Sequence, residues 1–269
     1  MQKTILITSS TDGIGLETAL LLVAARHLVL LHGRNPEKLS SVAEMLAKID
    51  GDGRTVPYVA DLSRLSDVAS FATSVSDAHD SLDAFINNAG VFGAGDPVTG
   101  DGLDIRFAVN TIALYLFTRR LLPLFGPMGR VVNLSSAAQA PVYPAAMTAA
   151  KNLSDNDAYA QSKLALTMWS RKMGLDHRKQ GPMVVAVNPG SLLGSKMVKD
   201  TCGIPGGDIR IGAYILCRAA LDDAFATAHG TYFDNDSGTF ASPHPDALDA
   251  TKSEAVIEAI EATLAALRD

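Results

Sequence analysis

A chain of 269 residues that is 47% hydrophobic can fill one large core, and a formal net charge of -6 argues against nucleic acid or an anionic membrane surface as the main partner. Cys202 and Cys217 have neither metal-site spacing nor disulfide-scaffold density, so no metal is expected and a reducing, cytoplasmic setting is. The opening Met-Gln-Lys-Thr has no secretory core ahead of its first strand, and the apolar run Leu20 to Leu31 is broken by Arg26 and His27 before transmembrane length.

In chain order, Thr4 to Thr8 reads as a buried strand, followed by the turn Ser9 to Gly15 and a helix from about Leu16 to Ala25. His27 to Leu31 is a second strand, followed by Gly33-Arg34-Asn35 and a helix entered at Pro36. Thr55 to Ala60 is a third strand, ending at Asp61-Leu62, with Ser63 or Ser66 expected to cap the next helix. Leu82 to Ile86, Arg130 to Leu134 and Val184 to Val187 complete six strands, with helices near Leu103 to Leu122 and from Tyr159 toward Lys179. Strands that are apolar without alternation and separated by helices predict a doubly wound parallel sheet in three layers, one Rossmann-type α/β domain spanning 1–269. A tail over 245–269 repeats Val256, Ile257, Ile260, Leu264 and Leu267 at helical spacing.

Ligands of such sheets sit beyond the carboxyl ends of the strands, where five of the six strands here end in small or polar residues. Gly13 and Gly15 let backbone approach a pyrophosphate at a helix N-terminus, although glycines also close ordinary turns. The second strand ends in Gly33-Arg34 in place of a ribose-binding acid. A guanidinium there suits a 2'-phosphate; the alternative is a solvent-facing loop arginine. Asp12 complicates a phosphate site by repulsion. Asp61 either accepts from an adenine amine or caps a helix, and Asn87-Asn88-Ala89-Gly90 offers loop-stitching amides beside a small pair.

Tyr159 and Lys163 stand four residues apart, on one helix face. Alone the pair is an ordinary helical one. With Thr8, Gly13, Gly15, Asp61-Leu62, Asn87 to Gly90, Asn110, Ser135-Ser136 and Pro189-Gly190 in this order, the chain resembles the classical short-chain dehydrogenase/reductase family over essentially its whole length. Its retinol-dehydrogenase-like and protochlorophyllide-reductase-like branch is nearest in pattern. The resemblance implies Tyr159 as acid/base, Lys163 as its activator and a nicotinamide-ribose ligand, Ser136 (with Ser135 as fallback) orienting the carbonyl, and Asn110 holding a relay water. It also implies cofactor contacts from Ser9, Ser10, Thr11, Gly13, Ile14, Gly15, Arg34, Asp61, Leu62, Asn88, Ala89, Gly90, Pro189, Gly190 and Leu192, besides Tyr159 and Lys163. The expected function is an NADP(H)-preferring oxidoreductase, with NAD(H) possible, that interconverts a largely apolar ketone or aldehyde and an alcohol. The rivals are reduction of an activated double bond and a nucleotide-binding regulatory protein.

Three positions depart from the family pattern. Ser9 replaces a glycine and keeps the turn only if its torsion tolerates a β-carbon. Between Ser136 and Tyr159 lie 22 residues, about ten more than is commonest, which makes 137–157 an insertion, as in the branch named above. Gly194 stands where a carboxamide-binding threonine often lies, with Ser191 or Ser195 as substitutes. The apolar run from Ala138 to Met147 either lines a substrate site or packs the insertion down, the latter for most of it. Residues 191–210 look like a lid with Met197, Val198 and Ile204 facing the substrate; the alternative is a plain connection. Charge predicts that the Lys163 ammonium draws the Tyr159 phenol toward the working range. A homodimer or homotetramer is expected by resemblance, with Met168, Trp169 and Met173 either at that interface or in the core.

Overall fold

The computed structural model describes residues 1–267. Thr4–Ile7 (β1), Leu28–Gly33 (β2) and Arg54–Val59 (β3) are followed in turn by helices Gly13–Ala24 (α1), Pro36–Leu46 (α2) and Leu65–Ala78 (α3). Leu82–Asn87 (β4) leads through Ile105–Phe107 (α4), a wide π-helical segment Ala108–Ala113 and Leu114–Leu121 (α5) to Phe125–Leu134 (β5). Ala145–Thr148 (α6) and Asp155–Asp176 (α7) precede Met183–Asn188 (β6), and Lys196–Cys202 (α8) and Arg210–Leu221 (α9) follow it. The chain closes with Tyr232–Asp234 (β7), Thr239–Ala241 (β8), Pro245–Leu248 (α10) and Ala250–Ala266 (α11).

The strands form one sheet in the order β3-β2-β1-β4-β5-β6-β7-β8. Pairing is parallel through β7, and β8 turns back antiparallel. The domain is single, as expected, but the sheet is mixed at one edge. The three-residue strands β7 and β8 are too short to show a period, so pairing rather than sequence defines them.

Successive side chains of each strand enter different cores. Ile5 and Ile7 pack with Leu22, Leu39 and Leu216 beneath α1, α2 and α9, whereas Leu6 packs with Phe71, Phe117 and Trp169 beneath α3, α5 and α7. Both faces are covered, which is why the strands read as unbroken apolar runs. Phe71, Phe117 and Phe85 form a chain of ring contacts at 4.4 and 5.0 Å.

Local signals account for most helix starts. Asp12, Asn35 and Ser154 each accept from a backbone N–H in the first turn of α1, α2 and α7. Neither Ser63 nor Ser66 caps α3. Arg64 occupies that position without a side-chain bond, and Asp101 Oδ2 accepts from Leu65 N at 3.1 Å instead. A partner 36 residues away is invisible to a local rule.

Only part of the insertion packs against the body, while Ala138, Pro141, Tyr143 and Ala145 are exposed. Ala146 and Met147 are buried, and Thr263 Oγ1 of α11 donates to the Met147 carbonyl at 3.0 Å. Val256, Ile260 and Leu264 of α11 face the core, Ile257 is half-buried, and Leu267 is exposed. Tyr115 Oη and Arg119 of α5 both bind Glu261 of α11. Met168, Trp169 and Met173 lie in the core beneath these contacts and not on a free helix face.

His32 in β2 is a buried polar node. Its Nδ1 accepts from Ser9 N at 2.9 Å, which leaves Nε2 as donor to the Ala60 carbonyl at 3.1 Å. Burial pushes its pKa from 6.5 down to about 4. Between these values the unfolded chain takes up a proton that native His32 refuses, so stability falls as pH drops through that window, by about 3 kcal/mol in all. Urea unfolding at pH 7 and pH 4.5 should show this loss, and His32→Asn should flatten the dependence.

Candidate active site

The strand order reverses between β1 and β4, and there the loops after both strands meet. Ser9 has a left-handed torsion, φ 53°, as has Gly13 at φ 57°. The Ser9 conformation is held from both sides: its N–H by His32 and its carbonyl by Asn88 Nδ2, which also donates to the Thr8 carbonyl, both at 3.0 Å. Gly15 is required by contact, since a β-carbon there would lie 2.4 Å from the Ser9 carbonyl oxygen and from Asn88 Nδ2. Ala89 N donates to Thr8 Oγ1 and His32 N to Ser10 Oγ. A β-carbon on Gly33 would strike Thr11 Cγ2 at 2.7 Å. Ser9, Ser10, Thr11, Gly13, Ile14 and Gly15 thus form one compact turn at the start of α1, bound to the Asn88-Ala89-Gly90 loop.

Arg34 is exposed just beyond β2. Beside it lies a residue that motif reading missed: Lys38 Nζ pairs with Asp12 Oδ2 at 2.6 Å. Lys38 holds the Asp12 carboxyl below the ordinary carboxylate range, with help from the Gly13 N–H. The repulsion expected from Asp12 is therefore met by a cation one helical turn past Arg34. Asp61 Oδ1 accepts from Ser63 N and Ser63 Oγ, so it shapes its own turn, while Leu62 is buried in the core.

Asn110 lies in the π-helical segment. Its side chain binds both backbone groups of Val91, at 2.8 and 2.9 Å, and donates to Ser162 Oγ at 2.9 Å. Ser162 Oγ in turn donates to the Tyr159 carbonyl at 2.7 Å. A single amide therefore couples the loop after Gly90 to the α7 turn carrying Tyr159. Ser135 Oγ pairs with Thr167 Oγ1 at 2.7 Å inside the core, whereas Ser136 is half-buried and its hydroxyl acts on the Tyr159 phenol, favouring the ionised form. The resemblance favours Ser136 with Ser135 as fallback, and Ser136 is the one that acts on the phenol. Phe92, which no motif marks, packs its ring 5.0 Å from that of Tyr159.

Lys163 Nζ is buried, 5.7 Å from the Tyr159 ring centre, and donates to the Leu134 carbonyl at 2.7 Å. Burial pulls its pKa down to about 8. Tyr159 moves up, not down: burial raises the phenol, and the Ser136 hydroxyl offsets this only in part. The sequence-based expectation that Lys163 lowers the phenol is corrected here, because the ammonium is turned to the Leu134 carbonyl and desolvation outweighs it.

After β6, Pro189 is buried and Gly190 and exposed Leu192 adopt positive φ, 122° and 51°. Ser191 N and Oγ bind Asp236 at 2.8 and 2.6 Å, and Ser195 Oγ accepts from Val198 N to cap α8. Both serines expected to stand in for a threonine thus have other partners. Gly194 has its own reason: a β-carbon there would lie 2.8 Å from the Gly207 carbonyl oxygen, where the returning chain pairs with Leu193.

Residues 3–202 match the short chain dehydrogenase family. The chain belongs to that family. Membership makes it an oxidoreductase that uses a nicotinamide dinucleotide. It is 29% identical to Short-chain dehydrogenase TIC 32 A, chloroplastic, of Brassica napus, over 93% of this chain and 85% of that protein. It is 31% identical to Retinol dehydrogenase 13 of Mus musculus, over 70% of this chain and 58% of that protein. Among solved structures, an uncharacterized protein of Mycobacterium paratuberculosis superposes with a TM-score of 0.80 at 25% identity, covering 97% of this chain and 93% of that one. A short chain dehydrogenase of Escherichia coli CFT073 complexed with NADPH superposes at 0.70 and 25% identity, covering 87% and 96%. Among the described residues no helix is long and apolar enough to cross a membrane, and no group of three or more metal-ligating side chains occurs. Burial raises the Cys217 thiol to about 12, leaving it inert as a nucleophile.

The left-handed torsion of Ser9 costs roughly 1 kcal/mol or more, against the greater chain entropy that glycine loses on folding. Ser9→Gly should therefore stabilise the protein by up to about 1 kcal/mol in urea unfolding and leave dinucleotide affinity in place.

Proposed function

We propose that this chain is an NADP(H)-preferring oxidoreductase that interconverts a ketone or aldehyde and the corresponding alcohol, with Tyr159 as acid/base. The observation that carries the reading is the Tyr159 phenol, with Ser136 acting on it and Lys163 Nζ 5.7 Å from its ring centre, at the crevice where the strand order reverses. The crevice fits a dinucleotide in shape. Gly13 and Gly15 bring backbone close at the start of α1, and a side chain on Gly90 would close to 3.4 Å from Lys163 Nζ. Ser9 to Gly15, Asn88 to Gly90 and Pro189 to Leu192 would hold the dinucleotide, and the nicotinamide supplies a hydride when bound.

Reduction develops negative charge on the carbonyl oxygen. Ser136 donates a hydrogen bond to that oxygen, and Tyr159, kept protonated at neutral pH by burial, delivers a proton to it. Lys163 carries positive charge near the phenol below about pH 8 and stabilises the phenolate left behind. Asn110 holds the loop and helix that frame the phenol. Run backwards, the same groups oxidise an alcohol, and the phenolate must then form first.

Cofactor preference rests on Arg34 beside the Lys38–Asp12 pair, cations suited to a 2'-phosphate. The NADPH complex of the Escherichia coli relative supports it. Phe92 against Tyr159 supports a largely apolar substrate. The retinol-dehydrogenase-like branch is favoured by the 22-residue spacing from Ser136 to Tyr159 and by Tyr232-Phe233. Residues 191–210 act as the lid over the cofactor, rooted by Ser191 on Asp236.

Fluorescence titration should give tighter binding of NADPH than of NADH, and Arg34→Ala should cost NADPH about tenfold or more while sparing NADH. Equal losses would remove the 2'-phosphate assignment. With the better cofactor and a panel of aliphatic and aromatic aldehydes and ketones, Tyr159→Phe should lose most turnover with cofactor affinity intact. Reduction should fall on the alkaline side as the phenol ionises, and oxidation should rise there.

A further inference from the structure

The carbonyl of Ser136 is held by two donors. Gln139 Nε2 reaches it from the loop that follows, at 2.9 Å. The second is the Tyr232 hydroxyl at 3.1 Å, from a residue 96 positions later in the chain. Tyr232 sits in β7, on the far side of β6 from β5. Its neighbour Phe233 enters the core beneath α1 and α9, so strand alternation sends Tyr232 to the α7 face, toward Ser136. Burial and the carboxylates of Asp234 and Asp236 raise its pKa, so the hydroxyl remains a donor.

The two donors differ in what they are anchored to. Gln139 is three residues from Ser136, on the insertion, and its Oε1 accepts from His244 N at 3.4 Å. Tyr232 pairs with Ala186 on one side and Ala241 on the other, so its backbone is fixed by the sheet. Tyr232 thereby refers the Ser136 carbonyl to the sheet on which Lys163 rests through the Leu134 carbonyl. Ser136 Oγ accepts from Ala138 N at 3.1 Å, which leaves its own proton to donate.

We propose that Tyr232 is a positioning residue: its hydroxyl clamps the Ser136 carbonyl to the sheet and so keeps Ser136 Oγ in reach of the Tyr159 phenol and of a substrate oxygen. The inference rests on Tyr159 and Ser136 being the reacting pair proposed above. A loosened Ser136 stabilises the Tyr159 phenolate less, so the phenol ionises at higher pH.

The test uses the full chain and the variants Tyr232→Phe, Tyr159→Phe and Tyr232→Phe/Tyr159→Phe. Thr231→Ala, which deletes a neighbouring hydroxyl bonded to the Ala228 carbonyl, is the control for mere loss of stability. Ultraviolet difference titration of the protein without cofactor, read as the difference made by Tyr159→Phe in each background, follows the Tyr159 phenol. Turnover is read with NADPH and the fastest carbonyl of the panel. Tyr232→Phe should move the phenol titration and the alkaline limb of reduction to higher pH and lower kcat about fivefold. KM and the Kd for NADPH should stay, and Thr231→Ala should do none of this. An unmoved phenol titration in Tyr232→Phe, or a kcat loss matched by Thr231→Ala, overturns the clamp. Full turnover in Tyr159→Phe would overturn the catalytic reading beneath it, an outcome separable from the other two.

Discussion

At the point where β1 and β4 part, the strand ends leave backbone donors and acceptors that no further strand can pair, and the protein satisfies them with side chains. Asn88 takes the carbonyls of Thr8 and Ser9, Thr8 Oγ1 takes the Ala89 N–H, and His32 takes the Ser9 N–H. Unpaired, each such group would cost about 1–3 kcal/mol where water is excluded. Everything at the cofactor end depends on this stitching. It holds Ser9 in a left-handed torsion that no intrinsic preference of serine supports, and it brings the start of α1 so near the Asn88 loop that only glycine fits at position 15. Because His32 joins the ends of β1, β2 and β3 as a neutral ring, the same stitching carries a sensitivity to acid.

The region around Tyr159 is built on burial and not on charge proximity. Lys163 and Tyr159 share a helix face, but the ammonium faces the Leu134 carbonyl and the phenol is governed by desolvation. In an environment that penalises every charge, both groups move toward neutrality: the lysine down, the phenol up. The Ser136 hydroxyl pulls the phenol the other way, against the larger effect of desolvation, so the placing of Ser136 acquires chemical weight.

The last forty residues do two structural jobs. The β7–β8 loop grips the chain leaving β6, through Asn188 on Asp234 and Asp236 and Ser191 on Asp236. The α11 helix covers α6 and α7 and is pinned to α5 by Glu261, placing Trp169 wholly inside. The insertion before α7 finds its partner in this helix, which explains why Ala146 and Met147 pack and do not line a cleft.

Six strands, their order of appearance and the residues gathered at their carboxyl ends were legible in the sequence, because buried parallel strands must be continuously apolar and because Gly13, Gly15, Asn88 and the Tyr159–Lys163 pair owe their chemistry to local spacing. Not legible were features that depend on partners far along the chain. The cap of α3 comes from Asp101, the neutraliser of Asp12 from Lys38, the reason for Gly194 from Gly207, and the grip on Ser136 from Tyr232. The resemblance favoured Ser136 over Ser135, and the physical reason is the pleat, which sends Ser135 into the core and leaves Ser136 beside the phenol. Local sequence determines which groups are present and at what period; only the folded chain decides which of them meet, and how far burial moves their protons.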